Sequence, residues 1–176
     1  MSRKEMDKFF IRQTFDLAEK SAEKGFDPFA ALLVVQGKIV ASSMDKCIQY
    51  SDPTAHAELI LISEFCREHQ LISLEGYTLY CNVEPCVMCS GAIHWAKISR
   101  VVFGVGQSAL QTLSKGKPKP SCEELINIGK HKIEIKGPVL PEEGLLVLKK
   151  YPFQSKKERH AQFFKKNNFQ KSNQQN

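Results

Sequence analysis

Two short segments of the sequence combine residues that could bind a metal ion and move a proton. His56 and Glu58 lie two residues apart in the first segment, and Cys86 and Cys89 lie three apart in the second. One imidazole and two thiolates form a ligand set that suits Zn²⁺, which is usually four-coordinate. Three protein ligands leave the fourth position open for water, as in catalytic rather than structural zinc sites. The pattern predicts one zinc ion held by His56, Cys86 and Cys89, with Glu58 as the catalytic acid–base group beside it.

The first of these segments stands where a helix is predicted to begin. Ser51 or Asp52 can cap a helix, and Pro53 suits its first turn. The apolar residues that follow extend the predicted helix over 55–69, so that His56 lies in the first turn. Residues i and i+2 point about 200° apart on a helix. His56 and Glu58 can therefore both reach one ion only if the helix axis points at that ion.

The second segment is also predicted to open a helix. Pro85 ends a predicted strand over 77–83 and begins a helix over 86–96, which places Cys86 and Cys89 on one face. Two helix N-termini would then meet at one metal ion. Their partial positive charge, together with the ion, favours thiolate over thiol.

The order of the two segments matches a known signature. Hydrolysis of a ring C–NH₂ group needs a proton moved from water to the ring nitrogen and then to ammonia, and one carboxylate can make both transfers. H-x-E followed by P-C-x-x-C is the pattern of zinc-dependent base deaminases. Through DPTAHAEL and LYCNVEPCVMCSGAIHWAKISRVVFG, the chain resembles the cytidine deaminase-like superfamily, in the branch of bacterial guanine deaminases and tRNA adenosine deaminases. The resemblance extends over 27–104.

The remaining elements are predicted from hydrophobic periodicity and turn residues. We predict further helices over 2–24, 121–128 and 141–150, and further strands over 30–36, 38–41, 100–104 and 132–136. The helix between the last two strands predicts that they run parallel. The fold class is α/β, a three-layer α/β/α sandwich with a mixed five-stranded sheet. Residues 105–120 are predicted to be irregular, either as a lid or as a plain surface insertion.

Composition indicates one domain with a basic tail. The chain has 176 residues, of which 42% are hydrophobic, enough for a single core. Residues 152–176 carry six Lys or Arg and one Glu, a net charge of +5 within a total of +6. We therefore divide the chain into a deaminase domain over 1–151 and a tail over 152–176. The tail is either a solvated surface or a contact for nucleic acid, and its Asn/Gln-rich end, 167–176, is expected to be disordered.

Cysteine usage and hydropathy favour the cytoplasm. The six cysteines, together with a charged segment at Met1 to Lys8, predict free thiols in a reducing compartment. No apolar run approaches the roughly 18 residues of a membrane span, so we expect no membrane contact.

The resemblance also assigns residues to the substrate pocket. Phe29 matches a phenylalanine of guanine deaminase-like sequences and could stack on a base. Asp45 stands where the family has an asparagine that hydrogen-bonds substrate, and an ionised carboxylate would prefer a ring edge with N–H groups. Trp95 looks like the tryptophan of the guanine deaminase AIxWAR segment, although a core position is equally open. Ala57, between the two active-site residues, completes the set.

The sequence therefore predicts a zinc-dependent hydrolytic deaminase of a free purine-like base or nucleoside, with guanine as the first compound to test. The alternative is adenosine deamination in tRNA, and a further alternative is an inactive zinc-bearing interaction module. A fourth sulfur ligand from Cys81 or Cys47 would make the metal site structural. The resemblance implies a homodimer in which the tail, through Tyr151 and Phe153, covers an active site.

Overall fold

The computed structural model describes residues 1–117, 119–127 and 130–173, with side chains described as far as residue 165. The helices are α1 (Arg3–Glu23), α2 (Cys47–Tyr50), α3 (Ala57–Glu68), α4 (Val87–Trp95), α5 (Gln107–Ser114), α6 (Cys122–Ile126), α7 (Pro141–Lys149) and α8 (Lys156–Asn173). The strands are β1 (Ala30–Val35), β2 (Lys38–Met44), β3 (Thr78–Val83), β4 (Arg100–Val105) and β5 (Glu134–Lys136).

The five strands form one mixed sheet in the order β2-β1-β3-β4-β5. Strand β1 is antiparallel to both of its neighbours, whereas β3, β4 and β5 are parallel. Helix α4 connects β3 to β4, and α5 and α6 lie in the connection from β4 to β5. The prediction that the last two strands run parallel is confirmed, since a helical crossover returns the chain in the same direction.

Alternate residues along the strands separate two apolar layers. One row crosses all five strands and faces the cluster built with α3, α4 and α6: Ala41, Leu33, Leu79, Val101 and Ile135. The residues one position along face the opposite side, where Leu32, Tyr80 and Val102 pack against α1. Because side chains alternate between the faces of a strand, these two rows require helices on both sides of the sheet. The three-layer α/β/α sandwich predicted from the sequence is confirmed.

Helix α3 begins two residues later than predicted. The Asp52 carboxylate accepts hydrogen bonds from the Thr54 backbone N–H at 2.8 Å and from the Thr54 hydroxyl at 2.6 Å. Asp52 therefore closes a local turn instead of capping a helix, as aspartate commonly does. Helical structure starts only at Ala57, which makes His56 the N-cap residue.

The prediction of an irregular segment over 105–120 is wrong in its first half, where α5 lies. No local side chain caps this helix; its first backbone N–H, that of Gln107, instead donates to the Glu84 carboxylate at 2.8 Å. A partner 23 positions away leaves no signal in the local sequence.

The predicted helix end at Ile128 lies outside the described residues, and the structure ends α6 at Ile126.

The tail is helical over Lys156–Asn173 and packs against α2. The side chains of the Asn/Gln-rich end, 167–176, and the last three residues altogether lie outside the described part of the chain, so the expectation of disorder there is not addressed.

Among the described helices, none is both long enough and apolar enough to cross a lipid bilayer.

A buried ion pair joins α1 to the sheet. Arg100 donates two hydrogen bonds to the Asp7 carboxylate, at 2.7 and 2.8 Å, and the Tyr80 hydroxyl donates a third at 3.0 Å. The side chains of Asp7 and Arg100 are 6% and 8% exposed. Burial alone would raise the pKa of Asp7, but the hydrogen bonds and charge of Arg100 outweigh it and lower the pKa. The ionised carboxylate is therefore the stable form in the folded protein.

Removal of this carboxylate should destabilise the fold. We expect Asp7→Ala to lower the free energy of unfolding by about 3 kcal/mol at neutral pH, because the buried Arg100 would lose its two hydrogen bonds to Asp7 and keep only the half-exposed Glu134 as a charged partner. Glu19→Ala, which breaks an exposed pair with Lys150, should cost no more than about 1 kcal/mol. Urea denaturation measures both.

The same variant should show a defined pH dependence. The pKa of Asp7 is lower in the folded state than its unfolded value of about 3.9. The contribution of Asp7 to the free energy of unfolding is thus complete above the unfolded-state pKa. It is lost as the pH falls through the folded-state pKa. The difference between wild type and Asp7→Ala should shrink in acid, and a difference that grows below pH 4 would contradict this assignment.

Candidate active site

The N-termini of α3 and α4 meet at one point beside the sheet. His56 is the N-cap residue of α3 and Cys86 that of α4, and neither side chain caps its own helix. Glu58 and Cys89 lie in the first turns of the same two helices. The N-cap side chains are therefore turned toward each other, and the unpaired N–H groups of both helices give the site a positive potential.

Three donor atoms are spaced as a zinc ion requires. The Cys86 sulfur lies 3.5 Å from both His56 Nδ1 and the Cys89 sulfur, and the Cys89 sulfur lies 3.6 Å from Nδ1. Tetrahedral zinc with bonds of about 2.3 Å to sulfur and 2.0 Å to nitrogen separates its ligands by roughly 3.5 to 3.8 Å. His56, Cys86 and Cys89 therefore fit the metal and could hold it.

Without a metal, this cluster keeps a proton on the imidazole. Burial would by itself lower the pKa of His56, but hydrogen bonds to Cys47 and Cys86 raise it to about 10. The hydrogen bond with Cys89 is the largest of the effects that lower the pKa of Cys86 to about 3, and it raises the pKa of Cys89. A cysteine thiolate and a neutral imidazole are the metal-binding forms, so zinc binding would displace protons from this cluster.

Glu58 stands beside the cluster as a buried carboxyl group. Glu58 is only 8% exposed. Burial is the main reason why the pKa of its carboxyl group is raised to about 7. A group with a pKa near neutrality can both accept and return a proton. The position and the protonation behaviour of Glu58 thus suit an acid–base role next to a metal-held water.

Neither of the two cysteines that could have closed the site belongs to the group of His56, Cys86 and Cys89, although Cys47 groups with His56 and Asp45. Cys81 is buried within β3, and it does not belong to the group formed by the three donor atoms. Cys47 lies on the far side of the imidazole, where its sulfur accepts a hydrogen bond from Lys156 Nζ at 3.2 Å. The same ammonium lies 3.4 Å from His56 Nε2. Among the described residues, no fourth sulfur joins Cys86 and Cys89.

A small cavity of about 90 Å³ opens beside the donor atoms. It is lined by Phe29, His56, Glu58, Asn82, Val83, Glu84, Cys86, Gln107, Leu110 and Lys119. Phe29 and Leu110 belong to an apolar cluster that also contains Phe153 of the tail. The cavity thus has apolar walls on one side and titratable groups on the other, as ligand sites commonly do.

The structure brings only one of the four proposed substrate residues to this cavity. Phe29 lines it, as expected. Asp45 is fully buried and accepts hydrogen bonds from the backbone N–H and the sulfur of Cys47. Ala57 is also fully buried, and Trp95 is 82% exposed at the end of α4. Asp45, Ala57 and Trp95 are not among the residues that line the cavity.

Several cavity residues had no recognisable signal in the sequence. Asn82, Glu84 and Gln107 are buried polar residues, and their side chains are placed by long-range hydrogen bonds. Glu84 directly precedes the Pro85-Cys86 pair, and this adjacency is the one clue the sequence offered. Lys119 of the segment 105–120 also lines the cavity.

The tail contributes charge next to the site. Arg159 of α8 is paired with Asp27, and both side chains are almost completely buried. Lys156 lies 3.9 Å from the same carboxylate and contacts Cys47 and His56 as described above. The tail therefore packs on its own domain in this structure, directly behind the imidazole.

Comparisons with known proteins agree with this geometry. The tRNA-specific adenosine deaminase of Buchnera aphidicola subsp. Schizaphis graminum is 33% identical over 146 residues, which cover 82% of this chain and 93% of that protein. The guanine deaminase of Bacillus subtilis is 36% identical over 95 residues, 53% of this chain and 61% of that protein. A solved structure of a tRNA:A34 deaminase superposes with a TM-score of 0.68 at 27% identity, covering 80% of this chain and 99% of that one.

A family model agrees with these relatives. The model of the cytidine and deoxycytidylate deaminase zinc-binding region matches residues 4–105, more than half of the chain, and spans every donor atom of the cluster as well as Glu58. Because the family match, the relatives and the donor geometry coincide on these residues, the chain belongs to the zinc-binding cytidine and deoxycytidylate deaminase family, whose members hydrolyse a C–N bond of a nucleobase or nucleoside.

Proposed function

We propose that this chain deaminates a free purine-like base or nucleoside, with guanine as the first substrate to test. The observation that carries this proposal is the small cavity beside Glu58. Its volume of about 90 Å³ suits a single base, and Phe29 and Leu110 form its apolar side.

The chain's own residues supply the steps around the metal. His56, Cys86 and Cys89 would hold the zinc ion, which when bound lowers the pKa of a water molecule to near 7. Glu58 takes a proton from the attacking water and delivers it to the ring nitrogen next to the amino-bearing carbon. It then carries the second proton to the departing amino group, so that water and the amino-substituted ring yield the oxo ring and ammonia. Phe29 supplies an apolar face for the ring.

Adenosine in tRNA remains the second candidate. Relatives named as tRNA-specific adenosine deaminases cover most of this chain. The tail also places Lys156, Lys157 and Arg159 at the start of α8, close to the metal-binding cluster. Nucleic-acid binding draws most of its affinity from such cationic side chains. Arg159, however, is buried against Asp27, which leaves it less able to contact phosphate.

An inactive zinc-bearing module is disfavoured by Glu58. Burial of a carboxyl group costs free energy, and a structural zinc site needs no acid–base group. None of the six cysteines forms a disulfide, which supports our proposal that the reaction takes place in the reducing cytoplasm.

Ammonia release across a panel of guanine, adenine, cytosine, their nucleosides and an adenosine-bearing tRNA tests the function. We expect turnover of a free purine or its nucleoside. Glu58→Gln should reduce that turnover by about 10² to 10⁴-fold, since the amide cannot transfer the proton. Glu64→Gln, an exposed change on the same helix, should leave it unchanged.

Salt dependence separates the two candidates within the same panel. Turnover of a small base should change little between low and physiological salt, because its binding does not displace counterions from phosphates. Turnover restricted to the tRNA, with a steep loss of activity as salt rises, would reverse the order of the two candidates.

Elemental analysis tests the metal site. We expect one zinc per chain, lost in Cys86→Ala and Cys89→Ala because two donors hold the ion too weakly. Cys47→Ser and Cys81→Ser should each retain one zinc. Loss of zinc in either serine variant would show a fourth sulfur ligand and would remove the catalytic interpretation.

We also propose that the chain forms a homodimer through the outer face of α4. Trp95 is 82% exposed and Val87 is 53% exposed two turns before it, with Gly91 between them on the same stripe. An exposed tryptophan in an apolar stripe is typical of an interface.

Sedimentation or light scattering tests this interface. Trp95→Asp should convert the dimer into monomers, since it buries a charge against apolar side chains. The control is Ile72→Asp, at a residue that is 95% exposed outside the stripe and should leave the dimer intact. A monomeric wild type would rule the interface out.

A further inference from the structure

The polar side chains of the cavity differ in how much hydrogen-bonding capacity they have left for a ligand. Both atoms of the Asn82 amide already have a partner in the protein: Oδ1 accepts from the Ala30 backbone N–H, and Nδ2 donates to the Pro28 carbonyl, both at 2.8 Å. These bonds connect β3 to the start of β1. Asn82 therefore supports the cavity wall, and neither atom of its amide is left without a partner.

Glu84 is also committed to the protein. One carboxylate oxygen accepts from the Gln107 backbone N–H at 2.8 Å, and the other accepts from the Cys122 backbone N–H at 2.8 Å. These are the first residues of α5 and α6, whose unpaired N–H groups need acceptors. Glu84 thus anchors both helices beside the cavity.

Gln107 is the exception among these residues. Its Nε2 donates to the Glu84 backbone carbonyl at 2.6 Å, which sets the orientation of the amide. Rotating the amide by half a turn would place two oxygens against each other, so the oxygen must point away from that carbonyl. Gln107 is only 6% exposed, and its Oε1 has no hydrogen-bond donor among the described residues.

A buried acceptor without a donor costs free energy unless a ligand satisfies it. Gln107 lines the same cavity as Glu58 and two of the metal-binding residues, His56 and Cys86. We infer that Gln107 is a specificity-determining residue whose Oε1 accepts a hydrogen bond from a ring N–H of the substrate. The inference rests on the proposed function and narrows it to rings that carry an N–H besides the amino group that is removed.

This requirement separates the two candidate substrates. Guanine carries hydrogen on N1 and N9 in addition to its amino group. The adenine ring of adenosine in RNA carries hydrogen on nitrogen only at the amino group that reacts. Gln107 would therefore favour guanine and leave its oxygen unpaired with adenosine, a difference that a site built around a hydrogen bond can make large.

The experiment compares guanine with two analogues that each lack one ring N–H. 2-Aminopurine keeps the amino group on the same carbon but has no hydrogen on N1, and guanosine has none on N9. Wild type should discriminate by about tenfold or more in kcat/KM against the analogue that lacks the hydrogen Gln107 reads. Gln107→Met should lose this discrimination, mainly through a higher KM for guanine.

Two further variants separate recognition from structural support. Like Gln107→Met, Gln107→Glu lacks the N–H group that donates to the Glu84 carbonyl, but its carboxylate can still accept a hydrogen bond from the substrate. Gln107→Glu should therefore retain discrimination between guanine and the analogue even if total activity falls. Gln111→Met is the matched control one turn along α5: its Nε2 is also buried without a described partner, but it does not line the cavity. It should behave as wild type.

The outcomes distinguish this inference from the proposed function. If wild type turns over guanine and Gln107→Met keeps the wild-type discrimination, the inference is wrong and the proposed function stands. An equal loss of discrimination in Gln111→Met would show that the two glutamines merely pair with each other. That result would also overturn the inference about Gln107. Activity only on adenosine in RNA, or on none of these compounds, would remove both.

Discussion

The arrangement of this molecule depends on holding three metal-binding atoms within 3.6 Å of one another at the ends of two helices. Thiolate and imidazole groups crowded in this way are unfavourable without a cation, so the surrounding fold must supply both rigidity and positive potential. The N-termini of α3 and α4 provide the potential, and their packing on one face of the sheet provides the rigidity. Neither N-cap side chain satisfies its own helix, which leaves both free for the metal.

Two helices beside the cavity depend on one carboxylate. Glu84 joins the first N–H groups of α5 and α6, so a residue at the end of β3 positions a segment more than 20 residues later. This bond explains why α5 is helical without a local cap. The backbone carbonyl of the same residue sets the amide of Gln107, a cavity-lining residue whose Oε1 has no donor among the described residues.

The tail supplies compensating charge behind the imidazole. Asp27 and Asp45 are both buried there, and two carboxylates in such surroundings are unfavourable unless cations face them. Arg159 pairs with Asp27, and Lys156 reaches the sulfur of Cys47, which itself contacts Asp45. The sequence alone divided the chain into a deaminase domain and a basic tail. In the structure, ion pairs next to the metal site hold these two parts together.

Much of the site was determined by the sequence alone, because its chemistry is local. The spacing of His56, Glu58 and the Cys86–Cys89 pair at two predicted helix starts identified the donor set, and alternating apolar residues identified the sheet and its layers. The tertiary structure decided what depends on distant partners: the cap of α5 by Glu84, the absence of Asp45 and Trp95 from the cavity lining and the orientation of the Gln107 amide. Hydrogen bonds and burial between residues far apart in the chain have no periodicity and no fixed spacing, so only the folded structure reveals them.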